Sequence, residues 1–180
     1  MHLEAFAGHT LSLLGARFLE LYYEQLRRDS AGITLVAARN NEIIGFAAGA
    51  MNPQGFYSRL LKRRWFAFML AALPGALRHP KLIPRLLNTP TYPANLPAGE
   101  ELANLSSIAV RPNVKGAGVG ARLMREFLTQ AKQRGATCVM WGTKKYDTVA
   151  NRFYQKFGYS EVREFRDTRG EEILEYYLQV

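Results

Sequence analysis

The chain has 180 residues, 24 Lys and Arg against 15 Asp and Glu, a formal net charge of +9 and one cysteine. That length suits a single domain spanning 1–180 with a sizeable core, and a composition 48% hydrophobic and 22% charged excludes wholesale disorder. The lone Cys138 excludes an internal disulfide framework and a Cys-based zinc site, and suits a reducing compartment.

Leu11, Leu14, Phe18, Leu21, Tyr22 and Leu26 recur at helical spacing, which predicts an amphipathic helix over 10–28. β-Branched and apolar residues then predict strands over 33–39 and 43–50, joined as a hairpin by Asn40-Asn41. Prolines from Pro53 to Pro97 are expected to divide the next segment, 52–99, into short helices and loops. A strand over 101–110 follows, stopped by Pro112, then a glycine-rich turn and a helix over 121–134 ended by Gly135. The short apolar run 137–143 reads as a buried central strand. Asp147 caps a helix reaching about 157, and strands over 159–166 and 173–180 complete the chain. This order predicts a mixed α/β sheet with antiparallel strands first and a parallel β-α-β centre.

His2, His9 and His79 are too scattered for metal ligation, so no metal is expected; His2 and His9 read as surface residues. No apolar run approaches the ~20 residues that span a bilayer, and the start lacks a signal-peptide pattern, so a cytoplasmic protein is expected. The positive charge is local. Between Asn52 and Gly99 lie seven basic residues (Arg59, Lys62, Arg63, Arg64, Arg78, Lys81 and Arg85) and no acid, leaving 17 basic against 15 acidic residues elsewhere. A local cluster implies a local partner rather than a nucleic-acid binding fold, and the aromatics here do not interleave with the basic residues. The cluster borders the apolar run from Trp65 to Leu73. Three readings stay open for that run: a core helix, a lid over a substrate, or a segment that touches an anionic membrane surface through 56–85.

Lys115-Gly116-Ala117-Gly118-Val119-Gly120-Ala121 joins a predicted strand to a predicted helix. Glycines there let backbone N–H groups converge, and the helix N-terminus adds about half a positive charge, which suits a pyrophosphate. No Gly-Lys-Ser/Thr follows, so the phosphate loop of nucleotide hydrolases fails. A dinucleotide fingerprint fits formally at Gly116, Gly118 and Ala121, but the following strand carries no acid for a ribose. A plain structural turn is the remaining alternative.

The stretch from Ser107 to Met124 resembles the acetyl-coenzyme A motif of the GNAT superfamily of N-acetyltransferases. Lys115-x-x-Gly118-x-Gly120 follows the family's Gln/Arg-x-x-Gly-x-Gly/Ala, after a strand reading Ile-Ala-Val and then Arg-Pro. Further on, Ala150-Asn151-Arg152-Phe153-Tyr154-Gln155-Lys156-Phe157-Gly158-Tyr159 is similar to its second motif. The resemblance covers roughly 33–50 and 101–180, and implies a GNAT-like mixed central sheet flanked by helices, with 52–99 as a basic helical insertion. It further implies direct attack of a primary amine on acetyl-CoA. The pyrophosphate would rest on the backbone of Lys115, Gly116, Ala117, Gly118, Val119, Gly120 and Ala121, and the pantetheine arm and thioester oxygen on Ile108, Ala109 and Val110. Tyr154 takes the family's position for the acid that protonates the leaving thiolate.

Three departures accompany the resemblance. The chain begins close to the family's first helix, without the strand that usually opens the fold. Asn104 stands where many members carry a glutamate, which shifts the expected base to Glu101, with Glu100 and His79 as lesser candidates. Asp147 replaces a frequent asparagine, and Asn151 is expected to bond the pantetheine arm instead. The basic insertion favours an acceptor bearing negative charge, such as an amino sugar or sugar nucleotide. Rival readings are a non-catalytic acetyl-CoA sensor and a protein or peptide N-acetyltransferase. The oligomeric state is open, a homodimer included.

Overall fold

The computed structural model describes residues 1–80, 101–167 and 170–180. Three helices open it: α1 (His2–Ala5), α2 (Thr10–Leu13) and α3 (Ala16–Arg28). Then come β1 (Gly32–Arg39), β2 (Glu42–Met51), α4 (Pro53–Arg78) and β3 (Leu102–Val110). A single 3-10 turn over Pro112–Val114 leads to α5 (Val119–Gln133), β4 (Cys138–Lys144), α6 (Thr148–Gln155), β5 (Glu161–Arg166) and β6 (Glu172–Gln179).

The strands form one sheet in the order β1-β2-β3-β4-β6-β5. Only β3 and β4 run parallel, joined across by α5, and every other neighbouring pair is antiparallel. This is the mixed sheet that the sequence predicts. Asn40 and Asn41 both adopt positive φ (50° and 62°), the conformation a two-residue hairpin of matching twist needs. β5 closes one edge with Glu161, Arg163, Glu164 and Arg166, charges that discourage further strand pairing.

Each face of the sheet has its own core. Leu123, Met124, Phe127 and Ala131 of α5 pack on Ile33, Ala47, Ala103, Leu105, Val139 and Trp141, and Tyr154 of α6 joins that cluster. On the opposite face, Tyr22 and Leu26 of α3 meet Ala48, Ala50 and the α4 residues Phe56 and Phe68.

No strand precedes the first helices among the described residues, in keeping with the sequence reading. Two local expectations are corrected. The helix expected over 10–28 is interrupted at Leu14–Gly15, so α2 and α3 are separate. The segment after β2 is one helix of 26 residues rather than several short ones: Pro53 occupies its first turn, where a missing N–H costs nothing, and Pro74 is carried inside it. Its irregularity falls instead at Arg64 (φ −133°, ψ 20°). Lys81, Arg85, Glu100 and the prolines from Pro84 to Pro97 lie outside the described residues.

Candidate active site

The site grows from a defect in the sheet. β3 pairs with β4 only from Leu102↔Cys138 to Leu105↔Trp141. At that point the β2–β3 register also slips: Leu105 faces Gly49 while Ser107 faces Ala48, which leaves Ser106 as the extra residue of a bulge. A bulge bends its strand and sharpens the twist, and here β3 and β4 part beyond it as a wedge. Gly49 makes the bend possible, since a Cβ there would stand 2.0 Å from the Asn104 carbonyl oxygen and 2.7 Å from the Phe127 ring.

Beyond the bulge the backbone polarity of β3 follows from its alternation. The Arg111 N–H donates to the Ile44 carbonyl at 2.8 Å, so Ala109 and Ser107 likewise turn their main-chain groups toward β2. Ile108 and Val110 turn theirs into the wedge, where β4 no longer pairs. Of the three residues expected to hold a pantetheine arm, two present a free edge and Ala109 does not.

At the open end of that edge lies the glycine turn. Gly116 and Gly118 take positive φ (84° and 77°) with no atom within 4 Å of a would-be Cβ, so the turn is uncovered. Gly118 caps α5, whose first internal bond runs from Arg122 N–H to the Gly118 carbonyl. The N–H groups of Val119, Gly120 and Ala121 therefore have no acceptor within the helix. Lys115 and Ala117 differ: their N–H groups bond Pro112 and Val114 within the turn. A Cβ on Gly120 would lie 3.4 Å from both Val110 and Phe153, so the turn, the free edge of β3 and α6 meet there.

Tyr154 follows Phe153 on α6. Asp147 sets that helix by accepting from the Ala150 N–H at 2.9 Å. The Tyr154 ring is buried beside Trp141, 5.5 Å between centroids, and Trp141 is the last β4 residue paired to β3. The Tyr154 ring thus packs on the residue at which the two strands part. Burial chiefly, then the nearby Asp147 and Tyr176, raises its pKa well above the ordinary tyrosine value. It holds its proton at any physiological pH, as an acid must.

Two expected residues are placed elsewhere. Asn151 donates both amide hydrogens, to the carbonyls of Lys144 (3.1 Å) and Lys145 (2.9 Å), and accepts from the Tyr176 hydroxyl at 2.8 Å. It braces the end of β4 against α6 and has no hydrogen left for a ligand. Glu101 precedes β3 at its closed end, its backbone bonded to Thr137. Four strand residues, about 13 Å, separate it from Leu105, where the wedge opens. His79 terminates α4 and is exposed.

The face opposite α5 and α6 carries groups that the sequence reading passed over. Tyr22 bonds Tyr57 (3.1 Å) and Ser106 (3.2 Å), and the Ser106 hydroxyl donates to the Ala48 carbonyl at 2.9 Å, so a buried hydroxyl chain ends at the bulge. Tyr23 similarly joins Ser107 to His2, with 2.6 Å between its hydroxyl and the His2 Nδ1. His2 is therefore half-buried rather than fully at the surface. Burial, followed by the charges of His9 and the N-terminus, lowers its pKa to about 4, which makes it a poor base. On β6, Glu175 is buried, with Oε2 accepting from the Tyr177 hydroxyl at 2.6 Å. Its cross-strand partner is Gly142, the first β4 residue past the paired stretch, so no β4 side chain separates this carboxylate from the wedge. The signal was a charged residue in an apolar strand, Ile173-Leu174-Glu175-Tyr176-Tyr177.

The sequence model of the acetyltransferase (GNAT) family matches residues 11–159. No curated protein matches the chain in sequence. Among solved structures, a GNAT-family protein from Desulfovibrio desulfuricans superposes with a TM-score of 0.56 at 18% identity, over 89% of this chain and 76% of that one. The ribosomal-protein-alanine N-acetyltransferase from Brucella melitensis gives 0.56 at 16% identity, over 90% and 76%. The NatC complex bound to Gag peptide and CoA gives 0.55 at 12%, over 90% and 79%.

Proposed function

The chain belongs to the acetyltransferase (GNAT) family, and from that premise we propose that it moves the acetyl group of acetyl-CoA directly onto a primary amine. One observation carries the reading: the free edge at Ile108 and Val110 lies between the uncovered glycine turn and Leu105, whose β4 partner Trp141 packs on Tyr154. A diphosphate fits the N–H groups of Gly118 to Ala121, and an extended amide-bearing arm fits the unpaired edge as an added strand would. The coenzyme supplies an activated acetyl thioester whose sulfur leaves as a thiolate.

The chain's own residues do the rest. The N–H groups of Ile108 and Val110 face the region where charge develops on the thioester oxygen. Tyr154 gives its proton to the departing sulfur as the new C–N bond forms and the C–S bond breaks. The attacking nitrogen must lose a proton, and Glu175, on the opposite face of the wedge, is the carboxylate we assign to receive it in place of Glu101. Asn151 is a positioning residue that fixes the end of β4 relative to Tyr154.

The acceptor in this reading bears negative charge, as an amino sugar or sugar nucleotide does, because no acid occurs between 52 and 99 to repel it and seven cations attract it. The test is acetyl-CoA-dependent release of free thiol across a panel of amino-sugar nucleotides, polyamines and peptides with free N-termini. Release with the anionic amines is expected. Release confined to peptides makes the chain a peptide acetyltransferase, and coenzyme binding without release under any amine makes it a sensor; either result overturns the assignment.

A further inference from the structure

We infer that the outer face of α4 is a docking surface for an anionic lipid bilayer. Trp65, Phe66, Met69, Leu70, Leu73 and Leu77 are all exposed, from 48% at Met69 and Leu73 to 72% at Leu77. At 100° per residue they fall on one side of the helix, within an arc of about 140°. The neighbouring side is already used: Phe68 and Ala72 are buried, and Phe68 meets Phe18 of α3 at 5.3 Å between ring centroids. The apolar run is thus core on one face and open on the other. A contiguous stripe of this size, uncovered among the described residues, marks an interaction surface.

Charge selects the occupant. Lys62, Arg63 and Arg64 are exposed one turn before the stripe, none ion-paired among the described residues, and Arg78 follows it. No acid lies within 52–99, so a second copy of this face would offer only like charge, whereas anionic headgroups over an acyl layer match both features. No helix of the described residues is long and apolar enough to cross a membrane, which makes the contact peripheral. Docking also gives the acceptor side a place. The first turn of α4 is tied through Tyr57 and Tyr22 to Ser106 at the bulge, so the helix that docks is the one anchored to the acceptor face of the wedge. Only this last consequence rests on the acetyltransferase reading.

Flotation with phosphatidylcholine vesicles, alone or with phosphatidylglycerol added, tests the inference. The chain is expected to float with the anionic vesicles at low salt, at least tenfold more than with the neutral ones, and to be released by high salt. Trp65→Ser/Leu70→Ser/Leu77→Ser replaces only exposed side chains and should abolish flotation, with an unchanged circular dichroism spectrum. Lys62→Glu/Arg63→Glu should do so while leaving the stripe intact. Absence of flotation, flotation that survives the serine substitutions, or a dimer in sedimentation that those substitutions dissolve would each overturn the docking. Thiol release from acetyl-CoA with soluble amines, measured without vesicles, should be the same in the triple-serine variant. For the parent chain, turnover without flotation therefore sinks docking alone, and flotation without turnover sinks the enzymatic reading alone.

Discussion

At Tyr154, burial does two things at once. It packs the ring against Trp141, Phe153 and Tyr176, and it keeps the hydroxyl protonated by raising its pKa. Tyr154→Phe should preserve the packing and remove the proton. A fall in kcat of about 100-fold is expected, with the acetyl-CoA Kd by calorimetry unchanged; turnover within twofold of the parent would remove Tyr154 from the chemistry. His2 illustrates the opposite shift. Its folded pKa of about 4 lies below the ordinary 6.5, so its contribution to stability is complete above pH 6.5 and is lost as pH falls toward 4. Thermal unfolding of the parent should show that loss, and His2→Phe, which keeps the contacts with Phe6 and Phe46, should flatten it. Residue types at fixed spacing pointed to Tyr154 and to the glycines. They did not show that Asn151 is consumed by two carbonyls, because those acceptors on Lys144 and Lys145 reach it only once α6 folds back over β4.

Among the elements, the bulged β3 decides most. Its sequence reads as an ordinary strand, yet the extra residue at Ser106 ends the pairing with β4 and frees the edge of Ile108 and Val110. Gly49→Ala tests this dependence. The added methyl has backbone on one side and Phe127 on the other, neither of which can yield cheaply. Overpacking of this kind costs about 1–3 kcal/mol, so urea unfolding should show a loss at the upper end of that range with the m-value unchanged. A loss below half a kcal/mol would mean that the bend does not need glycine there. α4 departs from the expectation because helix-breaking propensity is local, whereas its helix is held by Phe56 and Phe68 packing on the sheet side and Ala72 on the Leu14 corner. Tertiary burial outweighs a proline whose ring faces outward.

For the whole molecule, the proposed transfer divides the two faces of the sheet, with α5 and α6 bordering the side assigned to the coenzyme and α3 with the first turn of α4 the side assigned to the acceptor. Coenzyme binding should therefore stabilise the entire fold. With acetyl-CoA at a hundredfold excess over its Kd the gain is about 2.7 kcal/mol, or a rise in Tm of roughly 5–10 °C for a chain of this size. The rise should shrink as salt screens the turn; no shift at saturating coenzyme would contradict the assigned site. By itself the sequence determined the order of the strands, the parallel β-α-β centre, the glycine turn and the place of Tyr154 on its helix, since periodicity, caps and turn residues act over a few neighbours. Only the tertiary structure decided where β3 leaves β4, that Glu175 stands opposite Gly142 just past that point while Glu101 sits at the closed end, and that one side of α4 is bare among the described residues. Each of those depends on register or burial between segments tens of residues apart, and no local spacing encodes it.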